Sequence, residues 1–102
     1  MMVVRFASHR YHSSEGGAAV IQFTYTIRGA QGLHARPVVE IARAAGACES
    51  TVTVACSGRT SSGDDMMGLM ALNANRGDEL AITVAGPDEQ TAAEALKAVL
   101  TF

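Results

Sequence analysis

The chain has 102 residues, of which 48% are hydrophobic and 18% are charged, and its formal net charge at pH 7 is −2. This length and composition predict one globular domain with a modest core and argue against a chain that is disordered throughout. The slight negative charge argues against nucleic-acid binding, which depends on clustered Lys and Arg. No run approaches the roughly 18 apolar residues of a membrane span, and the N-terminal residues lack the apolar segment of about 7 residues of a signal peptide. We therefore expect a cytoplasmic protein that does not insert into a membrane.

The two cysteines, Cys48 and Cys56, lie at or beside one predicted strand. Eight residues of strand would hold them roughly 26 Å apart, which is too far for a disulfide. We therefore expect two reduced thiols that behave as small hydrophobic side chains.

Residues 1–20 show no sustained hydrophobic period. They are expected to form a mobile N-terminal extension ahead of a domain at residues 21–102. His9 and His12 in this extension have a spacing that could suit a metal, but no third ligand converges on them. We therefore expect solvated histidines and no metal site.

In the first half of the domain, the spacing of apolar residues changes from that of a strand to that of a helix. Apolar and polar residues alternate from Ile21 to Arg28, which predicts a half-buried strand. A loop at Gly29–Leu33 follows, and a helical period starts at Pro37. Gly46 is expected to end this helix as its C′ residue. The predicted buried stripe of the helix is Val38, Ile41, Ala42 and Ala45.

The second half repeats these patterns. Thr51–Cys56 alternates as a strand, and Ser57-Gly58 predicts a hairpin turn into a short strand at Arg59–Ser62. Asp64 or Asp65 can cap a short helix at Met66–Leu72 that is apolar on nearly every side.

A last strand and a last helix complete the domain. Leu80, Ile82 and Val84 alternate with more polar residues, and residues 86–88 break this strand and begin the helix. The predicted stripe of that helix is Ala92, Leu96, Val99 and Leu100. The order βαββαβα predicts an α+β two-layer open-faced sandwich, a four-stranded antiparallel sheet with three helices on one face.

The candidate site is the segment Gly32-Leu33-His34-Ala35-Arg36-Pro37. His34 lies where the first helix should begin, and Pro37 in the first turn loses no hydrogen bond. The free amides and positive dipole end of a helix N-terminus suit a phosphate, and Arg36 adds donors matched to its oxygens. These three groups together favour a histidine that carries a phosphoryl group.

This segment and the order of elements resemble the HPr family of histidine-containing phosphocarriers of the bacterial sugar phosphotransferase system. The resemblance covers residues 21–102 and includes the segment Met66–Leu72, which is similar to the family's second helix, and Gly86–Glu89, which is similar to its last turn. The resemblance implies that His34 accepts a phosphoryl group at Nδ1 from enzyme I, which is charged by phosphoenolpyruvate. The group then passes to a IIA-type protein or domain.

The same resemblance implies roles for further residues. Ala35 and Arg36 would bind the phosphoryl group, and a monomeric carrier of this kind needs no cofactor and is not a stand-alone enzyme. The implied docking surface for the two partners is formed by Val39, Arg43, Met66, Met67 and Met70.

The sequence departs from the family at Asp65, where many members have a regulatory serine that a kinase phosphorylates. Aspartate and serine are both good helix N-caps, so the fold should tolerate the exchange. Asp65 beside Asp64 places negative charge near the implied docking surface. We expect this charge either to weaken docking to an acidic partner or to match partners that have adapted to it.

Two other functions are compatible with the sequence. One is a regulatory binding module of the same fold that docks partners without passing phosphate on, and the other is an unrelated small α+β interaction domain. Simple docking does not require His34 and Arg36 together, so we favour the carrier.

Overall fold

The computed structural model describes residues 8–12 and 19–102. This part of the chain forms one sheet with the strand order β1-β2-β5-β3-β4, in which all neighbouring strands are antiparallel. The elements are β1 (Ser8–His12), β2 (Ala19–Thr26), α1 (Ala35–Gly46), β3 (Thr51–Cys56), β4 (Arg59–Ser62), α2 (Met66–Ala71), β5 (Glu79–Ala85) and α3 (Glu89–Val99).

The predicted βαββαβα order is confirmed from β2 to α3, and the four predicted strands form one antiparallel sheet. The sheet also has a fifth strand, β1, which pairs with β2 from Ser8 opposite Phe23 to His12 opposite Ala19. Alternation could not predict β1, because residues 8–12 have no apolar period and the strand forms by backbone pairing at an edge. The other residues of the predicted extension and the side chains of His9 and His12 lie outside the described part of the chain.

The core lies between one face of the sheet and the helices. Alternate residues of the three central strands are buried there, as the sequence predicts. These are Ile21, Phe23, Tyr25, Val52, Val54, Cys56, Leu80, Ile82 and Val84. The helices contribute side chains to the same cluster, including Val38, Ile41, Leu69, Ala92 and Leu96. Each large side chain buried in this way stabilises the fold by about 1.5–3 kcal/mol relative to its exposure to water.

The opposite face of the sheet is polar. Gln22, Thr53 and Thr83 are only half-buried, and Gln22 Nε2 donates to Thr83 Oγ1 at 3.4 Å. This difference between the two faces gives the predicted two-layer architecture.

Several predicted boundaries are wrong. Strand β2 ends at Thr26 and not at Arg28, and α2 ends at Ala71 and not at Leu72. Strand β2 begins two residues earlier than the alternation indicates, at Ala19.

Gly46 is the last helical residue of α1 and not its C′ residue. Ala47 is the C-cap residue, and its N–H donates to the carbonyls of Arg43 and Ala44, at 3.1 and 3.3 Å. Its φ of −86° is ordinary for a helix. No left-handed glycine is needed there.

The two cysteines are unpaired, as predicted. Cys56 is buried in the core, and the half-buried Cys48 donates its thiol to the carbonyl of Ala45 at 3.2 Å. Within the described residues, no helix combines the length and the apolar character that crossing a membrane requires.

Candidate functional site

His34 is the N-cap residue of α1. Its backbone is extended, with φ −97° and ψ −176°, and its carbonyl accepts the first helical hydrogen bond, from Val38 N–H at 3.1 Å. Its side chain makes no capping hydrogen bond and is half-buried. The backbone of His34 is therefore fixed by the helix, whereas its ring is not used to cap it.

The loop that carries His34 rests on the segment after α2. Gly32 has a φ of +64°, and Leu33 N–H donates to the carbonyl of Ala74 at 3.0 Å. A Cβ at Gly32 would lie 2.5 Å from that carbonyl oxygen, so only glycine allows this approach. Ala74 directly follows Asn73, which has a φ of +52°, so the backbone just after α2 sets the position of the loop.

The start of α1 offers donors to an anion. The first amides of a helix have no partner within it, and because Pro37 has no N–H, these donors belong to Ala35 and Arg36. No acidic residue occupies the first turn, so nothing there offsets the positive end of the helix dipole. The structure therefore places His34 at the N-cap and Ala35 and Arg36 in the first turn of α1.

Arg36 has a neighbour that the sequence analysis did not identify as functional. Its Nε lies 3.8 Å from Oε1 of Glu40, one turn further along α1. The Arg36 side chain is 85% exposed and that of Glu40 is 42% exposed. The i, i+4 spacing of the two residues is the signal from which this ion pair could have been predicted.

Four large apolar side chains are exposed on α1 and α2, which contact each other. Val39 is 41% exposed, and Met66, Met67 and Met70 are 50%, 84% and 48% exposed. We call these four residues the apolar rim. Leu69 of α2 is fully buried. Arg43 of α1 is exposed as well.

Asp65 is the N-cap residue of α2. Its carboxylate accepts from the N–H of Gly68 at 3.1 Å, and the residue is exposed. A Cβ at Gly68 would lie 2.7 Å from Oδ2 of Asp65 and 2.4 Å from Oγ of Ser61, so glycine makes room for this cap. Asp64 is exposed and accepts from Ser62 Oγ at 2.6 Å.

A cavity of about 270 Å³ lies at the other end of α1. Its lining includes Cys48, Ser50 and Asp64 but none of the residues from Gly32 to Pro37. Among the side chains that the structure describes, no three of His, Cys, Asp and Glu lie together where they could hold a metal ion.

The chain was compared with known protein families. Residues 21–101 match the family described as "PTS HPr component phosphorylation site". The chain is 36% identical over 81 residues to the phosphocarrier protein HPr of Cupriavidus necator, an alignment that covers 79% of this chain and 91% of that protein. It is 35% identical over 74 residues to the HPr of Haemophilus influenzae, which covers 72% and 87% of the two chains.

The fold agrees with these sequence similarities. The crystal structure of HPr from Bacillus anthracis superposes with a TM-score of 0.73 at 28% identity, and the alignment covers 80% of this chain and 98% of that one. The residues of the family match include His34 and Arg36. The chain belongs to the HPr family of phosphocarrier proteins of the phosphotransferase system.

Proposed function

We propose that His34 accepts a phosphoryl group from phosphorylated enzyme I, which is charged by phosphoenolpyruvate, and passes it to a IIA-type protein or domain. The observation that carries this proposal is the position of His34 as an N-cap whose ring is not used for capping. An N-cap residue lies beside the free amides of the first turn, which suit the oxygens of a phosphoryl group.

The chemistry is a displacement at phosphorus. The lone pair of a ring nitrogen attacks, a P–N bond to His34 forms, and the bond between phosphorus and the donor breaks. Transfer to the acceptor reverses these roles, and the ring leaves with the electron pair of the P–N bond. Imidazole suits both steps because it is a nucleophile when neutral and a good leaving group once protonated.

Two groups would hold the phosphoryl oxygens. The amides of Ala35 and Arg36 donate from the helix end, and the guanidinium of Arg36 adds charge and further donors. The carrier itself supplies the nucleophile and the anion site, and its partners supply the phosphoryl donor and the acceptor. The protein is accordingly a carrier in a relay and not a stand-alone enzyme.

The apolar rim and Arg43 would form the docking surface for both partners. Exposed methionines adapt to more than one partner because their side chains are flexible and polarisable. The exposure of Met67, at 84%, supports this role, since an unpartnered large apolar side chain costs free energy in water. We place the carrier in the cytoplasm as a monomer, where it would meet enzyme I and the acceptor in turn.

The test is incubation with enzyme I and radiolabelled phosphoenolpyruvate. We expect one phosphoryl group per chain, stable in base and labile in acid, that chases onto a IIA acceptor. His34→Ala should lose the label, whereas Arg36→Ala should still accept it but at least tenfold more slowly, because a charge-assisted contact to the phosphoryl group is missing. Full labelling of His34→Ala would contradict the assignment.

The second candidate function is a regulatory module that docks partners without passing phosphate on. The observation in its favour is Asp65, whose carboxylate places a fixed negative charge at the start of α2, beside Met66 and Met67 of the apolar rim. Such a module would bind enzyme I or the acceptor and leave the acceptor unlabelled. Labelling of the acceptor by the parent protein therefore separates the two functions.

A further inference from the structure

We propose that Glu40 is a positioning residue that competes with the phosphoryl group for Arg36 and so makes phosphorylated His34 a stronger phosphoryl donor. The inference rests on the proposed function and adds a residue to that site.

The geometry of α1 places Glu40 where it can act on Arg36. Side chains on a helix lean toward its N-terminus, so Glu40 reaches back to Arg36, which is two residues after the N-cap, His34. Glu40 Oε1 lies 3.8 Å from Arg36 Nε, on the inner edge of the guanidinium. The Arg36 side chain is 85% exposed, so the protein surface restrains it little and nearby charges decide where it points.

The two anions would share one cation. In the unphosphorylated protein the guanidinium balances the Glu40 carboxylate. A phosphoryl group on His34 carries a charge of about −1.5 to −2 and needs the same guanidinium. Arg36 must then leave Glu40 or divide its donors between the two anions. Glu40 therefore destabilises the phosphorylated form relative to the free form.

This destabilisation should be small. An exposed ion pair at the i, i+4 spacing contributes little, so we expect Glu40 to change the phosphorylation equilibrium by about threefold. A carrier that must both load and unload gains from such a change, because a phosphoryl group that is bound too tightly would not pass to the acceptor.

The experiment loads the protein chemically with phosphoramidate, a small phosphoryl donor. The P–N bond of phosphoramidate breaks, a P–N bond to the His34 ring forms, and ammonia leaves with the proton that the ring loses. At a fixed ratio of phosphoramidate to ammonium, intact mass spectrometry in base gives the ratio of phosphorylated to free protein. Glu40→Gln should raise this ratio about threefold over the parent at low ionic strength.

A double-mutant cycle tests whether Glu40 acts through Arg36. In the Arg36→Ala background, Glu40→Gln should change the ratio by less than 1.5-fold, and the effect in the parent should also shrink at 1 M salt, where the screening length is about 3 Å. A merely structural role of Glu40 would show neither dependence. Glu94→Gln, which removes the same charge from an exposed position on α3, is the matched control and should leave the ratio unchanged.

Three outcomes would overturn the role of Glu40: an unchanged ratio in Glu40→Gln, an equal change in the Arg36→Ala background, or an equal change in Glu94→Gln. These outcomes are separate from a failure of the relay, because phosphoramidate needs no partner protein. A parent that loads with phosphoramidate but not with enzyme I and phosphoenolpyruvate would contradict the proposed function alone.

Discussion

Gly32 lets the loop that carries His34 lie against the carbonyl of Ala74, at a distance that no residue with a Cβ allows. With a φ of +64° and the carbonyl of Ala74 only 2.5 Å from where a Cβ would lie, an alanine there has two costs. We expect Gly32→Ala to lower the free energy of unfolding by about 2–3 kcal/mol, from the left-handed backbone and the forced displacement of Ala74. Urea denaturation measures this loss, and loading of His34 by phosphoramidate should slow as the loop shifts.

Gly58 is the matched control. Its φ is +81°, but a Cβ there would meet no atom within 4 Å. Gly58→Ala should therefore cost only the backbone strain, about 1 kcal/mol, and leave loading of His34 unchanged. Equal losses of stability in the two variants would show that the approach to Ala74 contributes nothing.

For single residues, the sequence predicts the features that depend only on neighbours along the chain. His34, Arg36 and Pro37 lie within four consecutive residues, so their order alone predicts that they lie at a helix start. The contact of Leu33 with Ala74 could not be predicted, because it joins residues that only the packing of α2 brings together. The ion pair between Arg36 and Glu40 is intermediate. Its i, i+4 spacing can be read from the sequence, but its proposed role follows only once Arg36 is placed in the phosphoryl site.

Helix α2 has only six residues, and an isolated helix of this length is not stable in water. Burial of Leu69 and the Asp65 cap hold it in place. The sequence predicts the helix and an aspartate cap, Asp64 or Asp65, because an aspartate before an apolar run is a strong start signal, and the structure shows that the cap is Asp65. The predicted end at Leu72 is one residue late, because Leu72 is the C-cap and Asn73, with a φ of +52°, is the left-handed residue that ends the helix.

We expect two substitutions at Asp65 to separate its capping role from its charge. Asp65→Ala should lower the free energy of unfolding by about 1 kcal/mol, because the N–H of Gly68 loses its acceptor, and Asp65→Ser should retain most of that free energy. Both substitutions remove the negative charge beside Met66. If that charge weakens docking to an acidic partner, both should transfer phosphate faster than the parent at low salt.

Thermal unfolding measures the first effect and the rate of phosphotransfer from enzyme I measures the second. Equal stability of Asp65→Ala and Asp65→Ser would contradict the capping role. Transfer by Asp65→Ser at the parental rate at low salt would contradict the electrostatic effect and would instead favour partners that have adapted to the charge.

For the whole molecule, the spacing of apolar residues alone predicts the two-layer sandwich. Each of β2, β3 and β5 has one apolar side, and α1 and α3 each have one apolar stripe. Two tertiary features could not be predicted in this way. Strand β1 pairs with β2 through its backbone, which leaves no pattern in the sequence. The second feature is a clamp in which Asp88 connects the start of α3 to the turn before β3.

The clamp consists of three hydrogen bonds to one carboxylate. Asp88 accepts from the backbone N–H groups of Glu49 and Ser50, at 3.0 and 2.9 Å, and from the hydroxyl of Ser50. The Ser50 hydroxyl and then the Glu49 amide lower the pKa of the Asp88 carboxyl below its ordinary value of 3.8, and desolvation opposes them. All three donors favour the charged carboxylate, so the clamp is strongest when Asp88 is ionised.

The clamp should therefore be lost in acid. Because the pKa is lower in the folded protein than in the unfolded chain, the unfolded chain takes up the proton first as the pH falls. The stabilisation is complete above the unfolded value and disappears as the pH falls through the lower folded value. Urea midpoints measured from pH 6 to pH 2 should fall less steeply below pH 4 for Asp88→Asn than for the parent. Ser50→Ala, which removes the largest contribution to the shift, should give an intermediate slope, and three parallel curves would show that Asp88 does not couple folding to pH.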